Sequence, residues 1–354
     1  MKKHNFSAGP SILPQAVIEQ SAQGVLNINN SNLSLIEISH RSKDFVDIMD
    51  NATSLALELL NLKNKGYKAL FLQGGASMQF LMTAYNLLEN KAGYINTGAW
   101  SSKALKEAKN FGDAIEVASS KDANFNYIPK NYKVDSNLDY LHITTNNTIF
   151  GTQFHDIPEV ETNLICDMSS DIFSRQIDFS KFSLIYAGAQ KNMGPAGTTL
   201  VVVKESILGK VSRTIPSMLD YKTHIDKDSM FNTPPVFAVY TSMLTLEWLK
   251  ENGGITNIEK KNIEKANLLY DAIDNNELFN GFARKEDRSL MNVTFNLKNQ
   301  EHKNNFDKLC LEANINGVNG HRSVGGYRAS IYNALSIDSI KVLIEVMNEL
   351  KRTI

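Results

Sequence analysis

Cysteine is nearly absent from this chain: Cys166 and Cys310 are the 2 among 354 residues. That is too few for a disulfide framework or a thiolate zinc site, and both are expected to be buried free thiols. No apolar stretch reaches the length of about 18 residues that a membrane-spanning helix requires. Neither sign of charge is in excess, with Lys+Arg at 37 against Asp+Glu at 38 and a net charge of -1. Such a balance creates no global field to gather nucleic acid or anionic lipid, so neither is an expected partner, and an anionic ligand must be held by local charges. The first residues, Met1-Lys-Lys-His4, lead into no apolar stretch, so no secretory signal is read and a cytoplasmic location is expected. Arginine is scarce, at 8 residues, and tryptophan scarcer, at 2. What remains, 42 % hydrophobic and 21 % charged, is the composition of a soluble globular protein long enough for two packed domains.

From about residue 67 onward, short apolar runs alternate with amphipathic stretches, the pattern of an α/β fold with a mostly parallel sheet covered by helices. Strands are predicted at 67–73, 92–96, 114–118, 139–144, 163–168, 182–187 and 198–203, with helices at 78–88 and 101–111. Before them, Phe45, Ile48, Met49, Ala52, Leu55 and Leu59 recur at helical spacing after Ser42, a candidate cap. A long helical stretch through 241–250 ends at Asn252-Gly253-Gly254, where the chain is expected to pass into a smaller α+β domain. That domain is predicted to hold helices at about 255–274 and 304–313, strands at 290–297 and 327–331, and a final helix.

The segment Ala187-Gly-Ala-Gln-Lys191-Asn-Met-Gly-Pro-Ala-Gly197 sets one lysine among small residues between two apolar runs. An exposed hairpin lysine is the commoner outcome for such a segment alone. A lysine that must join covalently to a flat cofactor also needs close, unobstructed backbone around it. Three other segments favour the second reading. Gln73-Gly74-Gly75-Ala76-Ser77 joins a strand to a helix, so free amides and the positive end of the helix dipole face a loop with little bulk, as an anion requires. It is neither a Walker loop nor a dinucleotide fingerprint. Asp167 closes the run Leu164-Ile-Cys-Asp167, where a strand end delivers it to the crevice in which open α/β sheets hold ligands. A carboxylate there can keep a pyridine nitrogen protonated, or cap the turn through Ser169 or Ser170. Trp100, at another strand-to-helix junction, offers a flat face for stacking.

His40-Arg41-Ser42 and His321-Arg322-Ser323 repeat one triplet, and Arg328 follows the second within Gly325-Gly-Tyr-Arg-Ala-Ser330. Three of so few arginines beside His or Gly-Gly point to bidentate binding of carboxylate or phosphate. Arg328 stands in a small, apolar strand, where an unpaired guanidinium would be costly.

Asn5-Phe-Ser-Ala-Gly-Pro10, Ser39-His-Arg-Ser-Lys43, Ala187-Gly-Ala-Gln-Lys-Asn192, Gly194-Pro-Ala-Gly197, Asn232-Thr-Pro-Pro235, Gly320-His-Arg-Ser-Val-Gly-Gly326 and Ala329-Ser-Ile-Tyr-Asn-Ala334 together resemble the phosphoserine aminotransferases, within the class V aminotransferase family. The resemblance spans nearly the whole chain, and the order and spacing of the pieces make it specific. It implies the type I fold of pyridoxal-phosphate-dependent transferases, with a large domain over 16–252 and a small one from 1–15 and 253–354. It further implies pyridoxal 5'-phosphate as cofactor, a homodimer with shared active sites, and exchange of O-phospho-L-serine and 2-oxoglutarate for 3-phosphooxypyruvate and L-glutamate. The related 4-phosphohydroxy-L-threonine of pyridoxine biosynthesis is an implied second substrate. Carried over, Lys191 looks like the Schiff-base lysine and proton shuttle, and Asp167 like the partner of the ring nitrogen. Trp100 would stack on the ring, Thr148 would bond its hydroxyl, and Ala76, Ser77 and Gln190 would line the phosphate. Asn232 and Thr233 would reach that phosphate from the neighbouring subunit. Arg328 is similar to the clamp for the substrate α-carboxylate. His40 and Arg41, with His321 and Arg322 of the partner chain, look like the clamp for the distal anion.

Two positions depart from the pattern. Ser77 stands where some members carry arginine, and Asn146-Asn147-Thr148 where many have Asn-Glu-Thr. Two other readings compete. A cysteine desulfurase of the same fold needs a reactive thiol on a mobile loop, and a catalytically silent anion-binding protein would need the arginines alone.

Overall fold

The computed structural model describes residues 3–322 and 324–354, leaving Ser323 outside the described residues. Its centre is a seven-stranded sheet in the order Tyr67–Leu72, Thr199–Lys204, Leu184–Gly188, Asn163–Asp167, Tyr140–Thr144, Lys91–Asn96, Asp113–Ser119. Thr199–Lys204 runs antiparallel to both neighbours and the other pairs are parallel, which gives the mixed, mostly parallel sheet expected from the sequence. Because one reversed strand separates Tyr67–Leu72 from the parallel set, that strand again points the same way as its relatives. The carboxyl ends of six strands therefore share one edge of the sheet, and the loops leaving them carry the chemistry-bearing residues.

The strands form where the sequence is continuously apolar because both faces are covered. Leu200, Val201, Val202 and Val203 are all fully buried. One face packs on the helix Gly75–Leu87 and the helix Ala99–Ala108, which bury Phe80, Met82, Ala104 and Leu105. The opposite face packs on Lys43–Leu59 and Val236–Glu251.

A second core surrounds the three-stranded antiparallel sheet Phe279–Gly281, Asn292–Leu297, Tyr327–Ser330, covered by the helices Gly254–Asp274, Lys303–Glu312 and Ile337–Thr353. Phe279, Phe295, Phe306 and Tyr327 meet there, mostly edge to face, with ring centroids 4.9 to 6.5 Å apart. The start of the chain joins this core, since His4–Asn5 pairs in parallel with Ile315–Asn316 and Phe6 is buried in it.

Most of the expected elements are present, and several features differ. The helix Gln15–Leu26 was not expected from the sequence, because it buries Val17, Ser21 and Gly24, small residues that give no strong apolar stripe. Phe279–Gly281 is likewise an additional strand. Ser42 does stand at the N-cap of Lys43–Leu59, but its side chain caps no helical amide. Its Oγ donates instead to the Ser39 carbonyl at 2.8 Å, closing the preceding turn.

Candidate active site

The loop after Tyr67–Leu72 is built for an anion. Gly74 and Gly75 take φ of 93° and 66°, a region that favours glycine, and Gly74 is the N-cap of Gly75–Leu87 with no side chain capping the helix. Ala76 and Ser77 lie in the first turn, Ser77 exposed. The free amides there and the positive helix end form a cup for a phosphate-sized anion. Beside it, Gln73 donates through Nε2 to the Thr233 carbonyl at 2.9 Å and accepts from Asn232 Nδ2 at 3.5 Å. Asn232 and Thr233 thus sit next to the cup of their own chain. A groove opens at this point, lined by residues including Gln73, Gly74, Met78, Met218 and Asn232.

Lys191 follows Leu184–Gly188 in a turn held by its own backbone, with the Lys191 and Gly194 amides both donating to the Ala189 carbonyl at 2.7 and 2.9 Å. The N-terminal segment lies across this turn, and the Ser11 amide donates to the Gln190 carbonyl at 2.9 Å. A Cβ on Gly9 would stand 3.4 Å from Gln190 Cγ and 3.5 Å from Lys191 Cγ. Two of the small residues read from the sequence around Lys191 are required by the helix Val236–Glu251: a Cβ on Gly194 would overlap Ser242 Oγ, and one on Gly197 would stand 3.2 Å from Ala238 Cβ.

The partly buried Lys191 side chain donates through Nζ to Thr148 Oγ1 at 2.8 Å. Burial lowers its pKa to about 8, the Arg328 charge lowering it further against the pull of Asp167. Such an amine is partly neutral near physiological pH and therefore nucleophilic. Thr148, itself buried, also receives Arg328: the guanidinium Nη1 donates to the Thr148 carbonyl at 3.4 Å. One threonine thus brings the amine and the guanidinium together. Arg328 Nε is buried without a partner among the described residues, a donor awaiting an acceptor.

Asp167 is 4 % exposed at the end of its strand, in register with Thr144 and Tyr186. Its Oδ1 accepts the Ser169 amide at 2.9 Å, so it does cap the turn. That bond does not satisfy the charge: burial still pushes the carboxyl up, with Lys191 pulling it down. Behind it, Asp171 accepts from Thr145 Oγ1 at 2.6 Å, Gln153 Nε2 at 3.1 Å and Arg175 Nη2 at 3.1 Å. This fully bonded group was missed from the sequence, which offers no signal to distinguish it from Asp167.

Trp100, half-buried, has Lys103 Nζ 4.5 Å and Lys191 Nζ 5.9 Å from its ring centroid, and its Nε1 is buried without a partner among the described residues. His321 is partly buried, with a pKa lowered by burial and then by Arg328, Arg322 and Lys103. The structure therefore brings Lys191, Thr148, Asp167, Trp100 and Arg328 to one place, and the same chain's His321 lies within the field of Arg328, whereas the resemblance assigns His321 to the partner chain's site. His40 and Arg41 lie in the turn before Lys43–Leu59, and neither makes a hydrogen bond or ion pair to that group among the described residues. The Asn147 departure has a local account: its amide joins a neutral buried cluster, donating to Thr97 Oγ1 at 3.1 Å and Thr152 Oγ1 at 3.0 Å.

The family model of class-V aminotransferases matches residues 3–343. The chain belongs to the class-V aminotransferases. Its relatives include the phosphoserine aminotransferases of Flavobacterium psychrophilum, 64 % identical over 100 % of both chains, and of Bacteroides fragilis, 54 % identical over 99 % of both. Among solved structures, the phosphoserine aminotransferase of Bacillus circulans subsp. alkalophilus superposes with a TM-score of 0.96 at 42 % identity over 99 % of both chains. The PLP-bound phosphoserine aminotransferase of Trichomonas vaginalis gives 0.93 at 34 % identity, covering 98 % of this chain and 100 % of that one. The resemblance read from the motifs is borne out, and this class-V aminotransferase is a pyridoxal-phosphate-dependent enzyme.

The residues present fit that cofactor: an uncapped helix end for its phosphate, an indole face with an orphaned Nε1, a buried carboxylate in no salt bridge among the described residues and an amine of lowered pKa. Bound pyridoxal phosphate supplies an aldehyde that condenses with amino groups and a protonated ring that accepts the electron pair released at the substrate Cα. Among the described residues, no His, Cys, Asp or Glu cluster could hold a metal, and no helix is long and apolar enough to cross a membrane.

Proposed function

We propose that this aminotransferase moves the amino group of O-phospho-L-serine to 2-oxoglutarate, giving 3-phosphooxypyruvate and L-glutamate in serine biosynthesis. The observation that carries the reading is the meeting of Lys191 and Arg328 on Thr148. An amine able to take a Cα proton and a guanidinium able to clamp the adjacent carboxylate both bond to one threonine, which matches an α-amino acid. Lys191 would hold the cofactor through Nζ and would carry the proton that leaves the substrate Cα. Asp167 holds the ring nitrogen charged, Trp100 covers the ring, and Thr148 bonds its hydroxyl. Ala76, Ser77 and Gln190 line the phosphate.

The distal phosphate, or the γ-carboxylate of glutamate, falls to His40 and Arg41 with His321 and Arg322, drawn from two subunits of a homodimer. The resemblance assigns Asn232 and Thr233 to the cofactor phosphate of the neighbouring copy, a role they would take while bonded to Gln73 beside the cup of their own chain. The exposed apolar side chains Met78 and Met218, which line the groove beside the cup, support a dimer, as do the exposed Phe231 and Phe237, next in sequence or nearly so to its lining residues Asn232 and Pro235. The division into a large domain over 16–252 and a small domain from 1–15 and 253–354 fits the separate second core that Phe6 joins. We also assign 4-phosphohydroxy-L-threonine as a second donor, because a phosphate on a slightly longer chain meets the same clamp. A cytoplasmic location accompanies this role.

Neither competing reading has comparable support. Both cysteines are buried, and burial raises both thiols, Cys310 to about 12, so neither is a thiolate for sulfur transfer. The function is tested by comparing O-phospho-L-serine, L-serine and L-aspartate as donors to 2-oxoglutarate. The phosphorylated donor is expected to have the highest kcat/KM, and equal or better use of unphosphorylated serine would reject the assignment.

A further inference from the structure

Lys265, on the helix Gly254–Asp274, is 2 % exposed and meets no carboxylate among the described residues. Its ammonium instead donates to three backbone carbonyls, those of Ile331 at 2.8 Å, Tyr332 at 2.7 Å and Leu335 at 3.2 Å. A buried ammonium without a counter-charge is unusual, and three N–H groups facing three converging acceptors is the arrangement that makes it tolerable. Burial lowers its pKa to about 7, with Lys261 adding to the effect.

The segment so gripped leaves Tyr327–Ser330, the strand that carries Arg328. It is fastened at further points. Asn333 donates its amide to Asn192 Oδ1 at 3.1 Å and its side chain to the Phe173 carbonyl at 3.0 Å, and Asn262 Nδ2 donates to Asn333 Oδ1 at 2.9 Å. Tyr332 donates to the Ala8 carbonyl at 2.8 Å. Asn192 is the residue after Lys191. Hydrogen bonds joined through the backbone of 331–335 therefore link Lys265 to the turn of the reactive lysine, while Arg328 lies three residues upstream of the gripped segment.

We propose that Lys265 is a positioning residue that sets the register of Arg328 against Lys191, so that amine and carboxylate clamp meet one substrate molecule. This rests on the reading of Arg328 as the carboxylate clamp. A side chain serving only to fill the core would be apolar here. Lysine supplies three directed donors to the one loop whose placement fixes both groups, and misplacing a clamp by an ångström costs substrate binding before it costs folding.

The test is a KM-against-kcat comparison on the holoenzymes of Lys265→Met, Lys265→Gln and Arg328→Lys, with cofactor affinity and Tm measured alongside. Lys265→Met should raise KM for both L-glutamate and O-phospho-L-serine by roughly ten- to a hundredfold, leaving kcat and cofactor affinity within about twofold. Lys265→Gln, which retains two N–H donors, should fall between. An unchanged KM with a lowered Tm would reduce Lys265 to a structural group, and a parallel loss of cofactor affinity would also overturn the proposal. If neither variant folds, Asn333→Ala breaks the same path at its far end and is held to the same criteria. Arg328→Lys separates the two claims: if it leaves KM unchanged, the clamp reading fails whatever Lys265 does. If it raises KM and the Lys265 variants do not, the positioning proposal fails alone.

Discussion

Replacing Asp167 by asparagine removes one charge and little else. The side chain keeps its size and an oxygen to accept the Ser169 amide, now 2.9 Å from Oδ1, so the turn and the fold should survive. What changes is the charge of a carboxylate at the strand end beside Lys191, itself 4 % exposed to water. An opposite charge within a few ångströms shifts a partner's pKa by about 1–3 units, each unit being about 1.4 kcal/mol. A ring nitrogen deprived of that support loses its proton, and with it the stabilisation of the electron pair that leaves Cα. The expected loss in kcat is therefore roughly 10- to 1000-fold. Stopped-flow measurement of the half-reaction with L-glutamate reads this directly, with Tm and cofactor affinity as controls for the fold. Because Asp167 also raises the Lys191 pKa, the variant should move the pH midpoint of covalent cofactor capture downward. A variant with at least a third of the parent kcat and an unmoved midpoint would refute the reasoning.

The Lys191 value of about 8, down from 10.5, has a definite sign: below it the amine is protonated and unreactive, above it neutral. Cofactor capture by the apoprotein should accelerate as pH rises through about 8 and level off beyond, and a midpoint near 10 would show that the amine is not shielded as described. Gly74→Ala puts a side chain at φ 93° with its Cβ only 2.5 Å from Met78 Cβ. It should destabilise the protein by about 1–3 kcal/mol and weaken cofactor binding, as seen by thermal melting and by fluorescence titration, whereas normal affinity would remove the helix end from the phosphate site.

The residues that act through their position on the sheet were the legible ones. Asp167 and Lys191 close neighbouring strands one strand-loop-strand unit apart, and Gly74-Gly75 breaks the chain between an apolar run and a helix. Each leaves a local mark because a strand end or a positive φ constrains residue type. The site's cross-links left none. Thr148 draws Lys191 and Arg328 together from 43 and 180 positions away, and a threonine in a polar stretch advertises nothing of the kind. Nothing in the sequence marks Asn192, Asn262 and Asn333 as partners, because they lie far apart in the chain and meet only in the fold. Lys265 falls in a helix whose other lysines face water, so its burial depends on carbonyls that arrive from 331–335. The helix Gln15–Leu26 escaped notice for a related reason: Gly24 is buried against Tyr240, whose ring would lie 2.6 Å from an added Cβ, and close packing through glycine gives no apolar period. Ser42 shows the reverse, a correct helix start whose hydroxyl found a nearer acceptor.

The most direct measurement of the whole account is a single half-reaction followed by absorption. Purified protein loaded with pyridoxal phosphate receives O-phospho-L-serine and no keto acid, and 2-oxoglutarate is added afterwards. The account predicts conversion of the pyridoxal spectrum to that of the pyridoxamine form, then its return, and neither change in Lys191→Ala. A pyridoxal spectrum that O-phospho-L-serine leaves untouched while another amino acid converts it would contradict the assigned substrate, and conversion by Lys191→Ala at the parent rate would contradict the chemistry.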